Sequence, residues 1–285
     1  MEWRQVNFKH KKIVEVPRPF IKWVGGKRQL IPQLTQHFPK NFNKYIEPFV
    51  GGGAVFFYLL PQKAVLIDNN PELINAYQVI KHKVEELIES LKYHVNMKEY
   101  FYKIRSIDRD PVQFRDLDKV ERASRTIYLN KTCYNGLYRV NKKNQFNTPF
   151  GRYKNPKICD ELNLRAVSIA LRNVKIQLED FASCIESAKS GDFIYMDCPY
   201  HPTSDTANFT SYTMEDFGTG EQKRLKQVFK QLDSKGCSVL LSNSYTPFIL
   251  ELYNEFSIHI LHATRAVNCD PSKRGKIQEV LISNK

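Results

Sequence analysis

Tyr45-Ile-Glu-Pro-Phe-Val-Gly-Gly-Gly-Ala54, followed by Ala64-Val-Leu-Ile-Asp68, is the stretch on which the fold turns. An apolar run enters three glycines, the apolar segment Ala54–Leu60 stops at Pro61, and a second β-branched run ends on a carboxylate. The spacing predicts a strand over Lys44–Val50, a helix over Ala54–Leu60 and a strand over Ala64–Asp68. Strand, glycine turn, helix and strand in that order open an alternating α/β sheet. Glycines at a strand–helix junction let the backbone come close to a ligand and aim helix N–H groups at it. Asp68 stands 15 residues after Gly53, at the tip of the second strand, where a carboxylate can accept both hydroxyls of a ribose. A glycine-rich turn beside a solvated Asp explains the same residues without a ligand.

The alternation resumes further along. Ile194-Tyr-Met-Asp-Cys-Pro-Tyr200 is a short apolar run that stops on Asp197, then a proline and an aromatic ring. It reads as a buried strand whose carboxyl end, in an open α/β sheet, faces the ligand crevice. Asp197, the carbonyl of Cys198 and the ring of Tyr200 would then hold a flat amide-like group or an exocyclic amine. Two acceptors take its N–H bonds and the ring stacks on its face. A strand followed by a plain proline turn is the simpler reading of this string alone. Further strand signals fall at Val174–Leu178, Ser238–Leu241 and Val280–Ser283, with a helix at Glu221–Asp233. Helical spacing over Asn70–Leu91 and charged helical stretches to Leu129 interrupt the alternation. A loop-rich segment then runs from Asn130 to Pro156. One α/β core, residues 1–71 and 172–285, with a helical insertion at 72–171, accounts for the order.

Composition narrows the partners. The chain of 285 residues has 43 Lys and Arg against 30 Asp and Glu, a net charge of +13. Residues 119–175 hold 13 of the bases and only Glu121, Asp160 and Glu161 as acids, so most of the excess sits in one segment. Tyr128, Tyr134, Tyr138, Phe146, Phe150 and Tyr153 are interleaved there. Cations that neutralise phosphates beside rings that stack on bases favour a nucleic-acid surface over a membrane. No apolar run approaches the length of a membrane span, and Met1–Lys12 is charged without a signal-peptide core. Six scattered cysteines form no C-x-x-C pair, which argues against zinc, a metal centre or a disulfide framework and for an intracellular protein.

The glycine turn is not a phosphate loop, because no Gly-x4-Gly-Lys-Ser/Thr occurs, and Phe56 occupies the third glycine of a dinucleotide fingerprint. A nucleoside without phosphate remains, and S-adenosyl-L-methionine fits that description. Pro19-Phe-Ile-Lys-Trp-Val-Gly-Gly-Lys-Arg28 adds a tight turn between a tryptophan and two bases.

Taken together, F-x-K-W-x-G-G-K, E-P-F-x-G-G-G, D-x-N, Y-N-G-L-Y-R-V-N and D-x-P-Y follow one another from Phe20 to about Glu279. That order resembles the Dam-type DNA adenine-N6 methyltransferases, especially restriction-associated members acting on GATC. Thr132–Asn141, Asn144–Lys154 and Phe209-Thr-Ser-Tyr212 support the resemblance. It implies a Rossmann-like, S-adenosylmethionine-dependent methyltransferase core with a mostly parallel sheet and an inserted helical target-recognition subdomain. It further implies transfer of methyl to adenine N6 in double-stranded DNA after base flipping, in the bacterial cytoplasm at the nucleoid. A cognate restriction endonuclease would be the functional counterpart. Position by position, Trp23, Gly25, Lys27, Glu47, Phe49, Gly51, Asp68 and Asp197 would bind the cofactor. Asp197, Cys198, Pro199 and Tyr200 would form the catalytic string, and Tyr134, Asn135, Leu137, Arg139 and Pro149 would read DNA. Arg139 is the candidate for a bidentate contact to guanine, and Tyr134 for a wedge where the adenine leaves. RNA or protein methylation, or a DNA-binding regulator without catalysis, are the competing readings. The family's string is normally D-P-P-Y, so Cys198 departs from it, at a position that contributes its backbone carbonyl.

Overall fold

Apolar runs separated by amphipathic helices assemble into one seven-stranded sheet. The computed structural model describes residues 15–203, 217–264 and 276–285. The Phe209–Tyr212 string, Cys269 and the charged opening residues lie outside them. The strands are β1 (Tyr45–Glu47), β2 (Ala64–Asp68), β3 (Val174–Leu178), β4 (Phe193–Asp197), β5 (Ser238–Ser244), β6 (Ser257–Thr264) and β7 (Lys276–Ser283). Their spatial order is β3-β2-β1-β4-β5-β7-β6. The first five run parallel, and β7 lies antiparallel between β5 and β6. The chain moves outward from β1 to β2 and β3, then returns to place β4 on the other side of β1. That reversal is the topological switch point of an open α/β sheet, and the carboxyl ends of β1 and β4 flank the place where such sheets hold ligands in a crevice.

Burial on both faces explains why the strands read as continuous apolar runs rather than alternating ones. Tyr45, Leu66 and Tyr195 point into one core, while Ile46, Ile67, Ile194 and Met196 point into the other. Short helices α1 (Ile31–Leu34) and α2 (Ala54–Leu59) follow the amino-terminal motifs. Helix α3 (Pro71–His82) starts where Asn70 accepts the Leu73 N–H at 3.0 Å and Pro71 presets the first turn. The expected single helix over Asn70–Leu91 breaks at Lys83, whose φ is −140°, and resumes as α4 (Val84–Lys92). The break re-aims Leu87, Ile88 and Leu91 into the same core as α3.

Helices α5 (Lys98–Ser106), α6 (Pro111–Asp116), α7 (Lys119–Thr132) and α8 (Glu161–Ala170) complete the inserted part. Helix α7 opens with a capping box between Asp118 and Glu121. Beyond it, residues 130–156 are not a free loop. Cys133 pairs with Phe150 and Val140 with Phe146, giving an irregular hairpin whose tip is Asn141–Gln145. A separate apolar cluster of Phe101, Tyr128, Leu129, Cys133, Tyr138, Val140 and Phe146 supports its base. Helices α9 (Cys184–Ser187), α10 (Thr219–Ser234) and α11 (Pro247–Leu252) lie between the later strands. Edge strand β6 carried no strand signal strong enough to be read from sequence. No helix among the described residues is long and apolar enough to cross a membrane.

Candidate active site

Asp197 is the last residue of β4, and it meets a lysine that the chain delivers from far upstream. Lys27 Nζ lies 2.7 Å from Asp197 Oδ1 and also donates to the Gly25 carbonyl at 2.6 Å. The same ammonium stands 4.8 Å above the Tyr200 ring. Lys27 is only 3% exposed and Asp197 20%, so the pair is shielded but open to the crevice on the carboxylate side. Burial raises the Asp197 carboxyl to about 6, with the Lys27 charge opposing that rise. At neutral pH Asp197 is therefore ionised and able to accept hydrogen bonds.

The turn after Asp197 is held by β5. Its last residues, Ser242, Asn243 and Ser244, are polar yet buried. Asn243 donates to Gln222 at 2.9 Å and to the Cys198 sulfur at 3.4 Å, and accepts the His201 N–H at 3.0 Å. Gln222, on α10, donates to the Pro199 carbonyl at 2.9 Å, and Ser244 donates to the His201 carbonyl at 2.6 Å. The Cys198 thiol points away from the crevice into the second core and donates to the Ser242 carbonyl at 3.6 Å. Burial pushes that thiol up, out of thiolate range. The cysteine is thus a buried packing group, and its departure from the D-P-P-Y pattern leaves the turn fixed by other bonds. On the other side, the Tyr200 hydroxyl donates to Glu279 Oε2 of β7 at 2.6 Å.

The glycine turn forms the neighbouring wall. Gly51 has φ +47°, and a Cβ there would meet Trp23 Cδ1 at 2.6 Å, so only glycine fits under the indole. Asp68 accepts the Gly51 N–H through Oδ2 and the Asn70 N–H through Oδ1, both at 3.0 Å. Burial raises its carboxyl to about 6 against those backbone bonds. Each oxygen keeps a second lone pair for a ligand hydroxyl. Tyr77 donates from below to the Gly51 carbonyl at 3.0 Å. Glu47 is buried, accepts the Tyr45 hydroxyl at 2.9 Å, and is raised well above the carboxylate range by burial, with Asp197 and Asp68 adding to the rise. Asp68 and Asp197 thus set two negative charges against the one positive charge of Lys27, while burial keeps Glu47 neutral, an edge suited to a cationic ligand.

Phe49, two residues before Gly51, packs against rings that the sequence did not single out. It stacks on Phe181 at 5.2 Å and meets Phe217 edge-on at 5.8 Å. Phe181 follows β3, just as the glycine turn follows β1. The string Glu179-Asp180-Phe181 after an apolar run was the available signal.

The expected DNA-reading residues cluster on the hairpin. Tyr134 is half exposed, and its N–H donates to the Pro149 carbonyl at 2.8 Å. Asn135 adopts φ 56°, ψ 11°, a left-handed conformation that Asn tolerates better than most residues. The Leu137 carbonyl accepts the Thr148 hydroxyl at 2.7 Å. Arg139 is exposed and steadied by Asn147 Oδ1 at 2.7 Å. The returning strand is pinned from beneath, because Asp108 accepts the Phe146 N–H at 2.8 Å and pairs with buried Arg125 at 2.8 Å. Arg122, Arg125 and Arg165 are paired with Glu72, Asp108 and Glu85, acids outside the basic segment. Arg139, Lys142, Lys143, Arg152 and Lys154 are exposed without an ion-pair partner among the described residues. Lys119, Arg172 and Lys175 are likewise exposed and unpaired among the described residues, so eight of the thirteen cations are free and these five share the hairpin segment.

The crevice and the hairpin are two clusters joined by one segment. Trp23 stacks on Tyr138 of the hairpin base at 5.0 Å while its other edge covers Gly51.

The chain is similar to known proteins over most of its length. Residues 23–267 match the family described as D12 class N6 adenine-specific DNA methyltransferase. The chain is 51% identical over 271 residues to Type II methyltransferase M1.LlaDCHI of Lactococcus lactis subsp. cremoris, covering 94% of this chain and 95% of that protein. It is 46% identical to Type II methyltransferase M.MjaIII of Methanocaldococcus jannaschii, covering 94% and 99%. It is 35% identical to the DNA adenine methylase of Haemophilus influenzae, covering 93% and 92%.

Proposed function

The chain belongs to the D12 class of N6 adenine-specific DNA methyltransferases, and from that premise we propose that it methylates adenine within GATC in duplex DNA after extruding the base. Enzymes of this family take the methyl group from S-adenosylmethionine, which supplies an electrophilic methyl on a sulfonium. Asp68 and Asp197, set against Lys27, leave one net negative charge that fits that cation. Asp68 is assigned the ribose hydroxyls, and Glu47, Gly51, Trp23 and Gly25 the remainder of the polar wall. Phe49, with Phe181, is assigned the apolar end.

The observation that carries the reading is Asp197 at the switch point, paired with Lys27 at 2.7 Å and followed by a turn fixed on three sides. An adenine amine is a weak nucleophile because its lone pair is delocalised into the ring. The Asp197 carboxylate and the Cys198 carbonyl accept hydrogen bonds from its two N–H groups and favour a pyramidal nitrogen, which would attack the sulfonium methyl as the thioether leaves and then lose one proton. Tyr200, steadied by Glu279, stacks on the extruded base, and Pro199 keeps the carbonyl and the ring in register. Catalysis here is positioning and preorganised electrostatics. Extrusion costs about a few kcal/mol, which phosphate contacts from the free cations on the hairpin offset.

Residues 72–171 are assigned as the target-recognition unit, and 1–71 with 172–285 as the catalytic core. Support comes from the gap in chain order between β2 and β3. The type II relatives favour a pairing with a cognate restriction endonuclease, whose cuts this enzyme would block. Such a substrate puts its place of work at the nucleoid.

The test is transfer of labelled methyl to two duplexes identical except for GATC or GTTC. Label on the first alone is expected. Label on both discards the sequence assignment, and full activity of Asp197→Ala discards the site.

A further inference from the structure

Asn130 sits near the end of α7, 1% exposed, too deep to touch either DNA or cofactor. Its amide is nonetheless fully engaged by two distant pieces of chain. Oδ1 accepts the Lys22 N–H at 2.9 Å, while Nδ2 donates to the Lys22 carbonyl at 2.8 Å and to the Gly136 carbonyl at 3.0 Å. Lys22 precedes Trp23 and opens the segment that ends on Lys27. Gly136 closes the Tyr134–Asn135 turn at the root of the hairpin. The junction is tight, since a Cβ on Gly136, whose φ is +66°, would meet Lys22 Cδ at 2.5 Å.

From this clamp a continuous set of contacts runs to the reacting centre. Lys22 fixes the backbone of Trp23, whose ring lies between Tyr138 and Gly51. The Trp23 carbonyl accepts the Gly26 N–H at 3.3 Å, and the Gly25 carbonyl accepts the Lys27 ammonium that pairs with Asp197. We propose that Asn130 is a positioning residue that registers the recognition hairpin to the cofactor wall, so that duplex and cofactor bind cooperatively. A displacement of the Tyr134–Gly136 turn by DNA cannot leave Lys22 in place, because one amide holds both. Every link in this path is a hydrogen bond or a packed ring, and a coupling between two sites must act in both directions.

The experiment rests on the proposed DNA reading only for its choice of duplex. It therefore uses whichever duplex accepts label in the transfer assay, so a wrong recognition sequence shows itself there. S-adenosylhomocysteine is titrated calorimetrically into the free protein and into the protein saturated with that duplex. Wild type is expected to bind it at least about fivefold tighter on DNA, within the usual range of allosteric coupling. Asn130→Ala, and Asn130→Asp, which keeps the acceptor for Lys22 but lacks both donors, are expected to bring the ratio below about twofold. A merely structural asparagine would lower the melting temperature and weaken both affinities alike, with the ratio unchanged; that outcome overturns the proposal. Should both Asn130 variants fail to fold, Tyr138→Leu tests the parallel Trp23 contact, with the same loss of ratio expected. No coupling in wild type also overturns it.

Discussion

Replacing Lys27 by methionine keeps the aliphatic stem and removes the one positive charge paired with Asp197 among the described residues. The ammonium is 2.7 Å from Oδ1, with the lysine almost wholly buried and the carboxylate one-fifth exposed. Removing one partner of a fully buried pair costs about 3–5 kcal/mol, and the exposure of Asp197 brings its share to roughly 2–3 kcal/mol. At 1.36 kcal/mol per pH unit, the midpoint of Asp197 moves up by about 1.5–2 pH units. The wild-type carboxyl titrates at about 6, so the variant's acid limb should centre near pH 8. Only the ionised form accepts the amine protons, so raising the midpoint withholds it at neutral pH. Near pH 7.5 the ionised fraction falls from nearly all to about a quarter, and by roughly pH 9 it is restored. The stability sign follows too: with a folded midpoint above the unfolded one, the stabilisation is present at low pH and lost as pH rises through the folded value. The assay is kcat against pH at saturating cofactor. Asp68 also titrates at about 6, and saturation confines its effect to the cofactor KM. An acid limb unmoved in Lys27→Met, whatever the height of the plateau, would refute the claim that Lys27 keeps Asp197 ionised.

Three other outcomes follow from the same geometry. Cys198→Pro should alter turnover by less than about tenfold, because the thiol faces the core and Asn243 and Gln222 fix the turn. Iodoacetamide should leave native Cys198 unlabelled by mass spectrometry, and rapid labelling would contradict its burial. Glu279→Ala should cut kcat about five- to tenfold with little change in cofactor affinity, whereas Glu279→Gln, which retains an acceptor for Tyr200, should stay within about threefold. Equal defects in both would show that the 2.6 Å bond does not set the ring. Lys142→Ala/Lys143→Ala should weaken all duplexes alike and flatten the log–log salt dependence by about two, while Arg139→Ala should lose about 1–3 kcal/mol of discrimination at one base pair. Filter binding across salt concentrations separates the two, and a sequence-specific loss from the lysines would be the wrong sign.

Residues that announce themselves by type and spacing were legible, and residues that act by supporting others were not. Ala64–Asp68 and Val174–Leu178 coincide with β2 and β3, because short β-branched runs between helices have few other uses. Asp68, Asp197 and the glycine turn were visible as strand ends. Lys44–Val50 shrank to Tyr45–Glu47, since Pro48 cannot donate to a ladder and Val50 instead bonds to Ile67 as the chain enters the turn. Ser242, Asn243 and Ser244 were invisible as strand residues. Their side chains are poor strand formers, and they are buried only because the turn after Asp197 satisfies them. Glu279 and Asn130 were out of reach for the same reason. Their partners lie 79 and 108 residues away, a relation that only the fold creates. The charge of residues 119–175 is larger than the free surface it makes, because acids from other segments pair with three of its arginines.

Strand β7 separates β5 from β6 yet is synthesised after both. Until it arrives, those two strands face a gap one strand wide, with exposed ladder edges that invite wrong pairing. Glu279 comes with it, so the ring of Tyr200 gains its anchor only when that gap is filled. A chain folded only as far as β6 therefore has Tyr200 in place without the partner that steadies its ring.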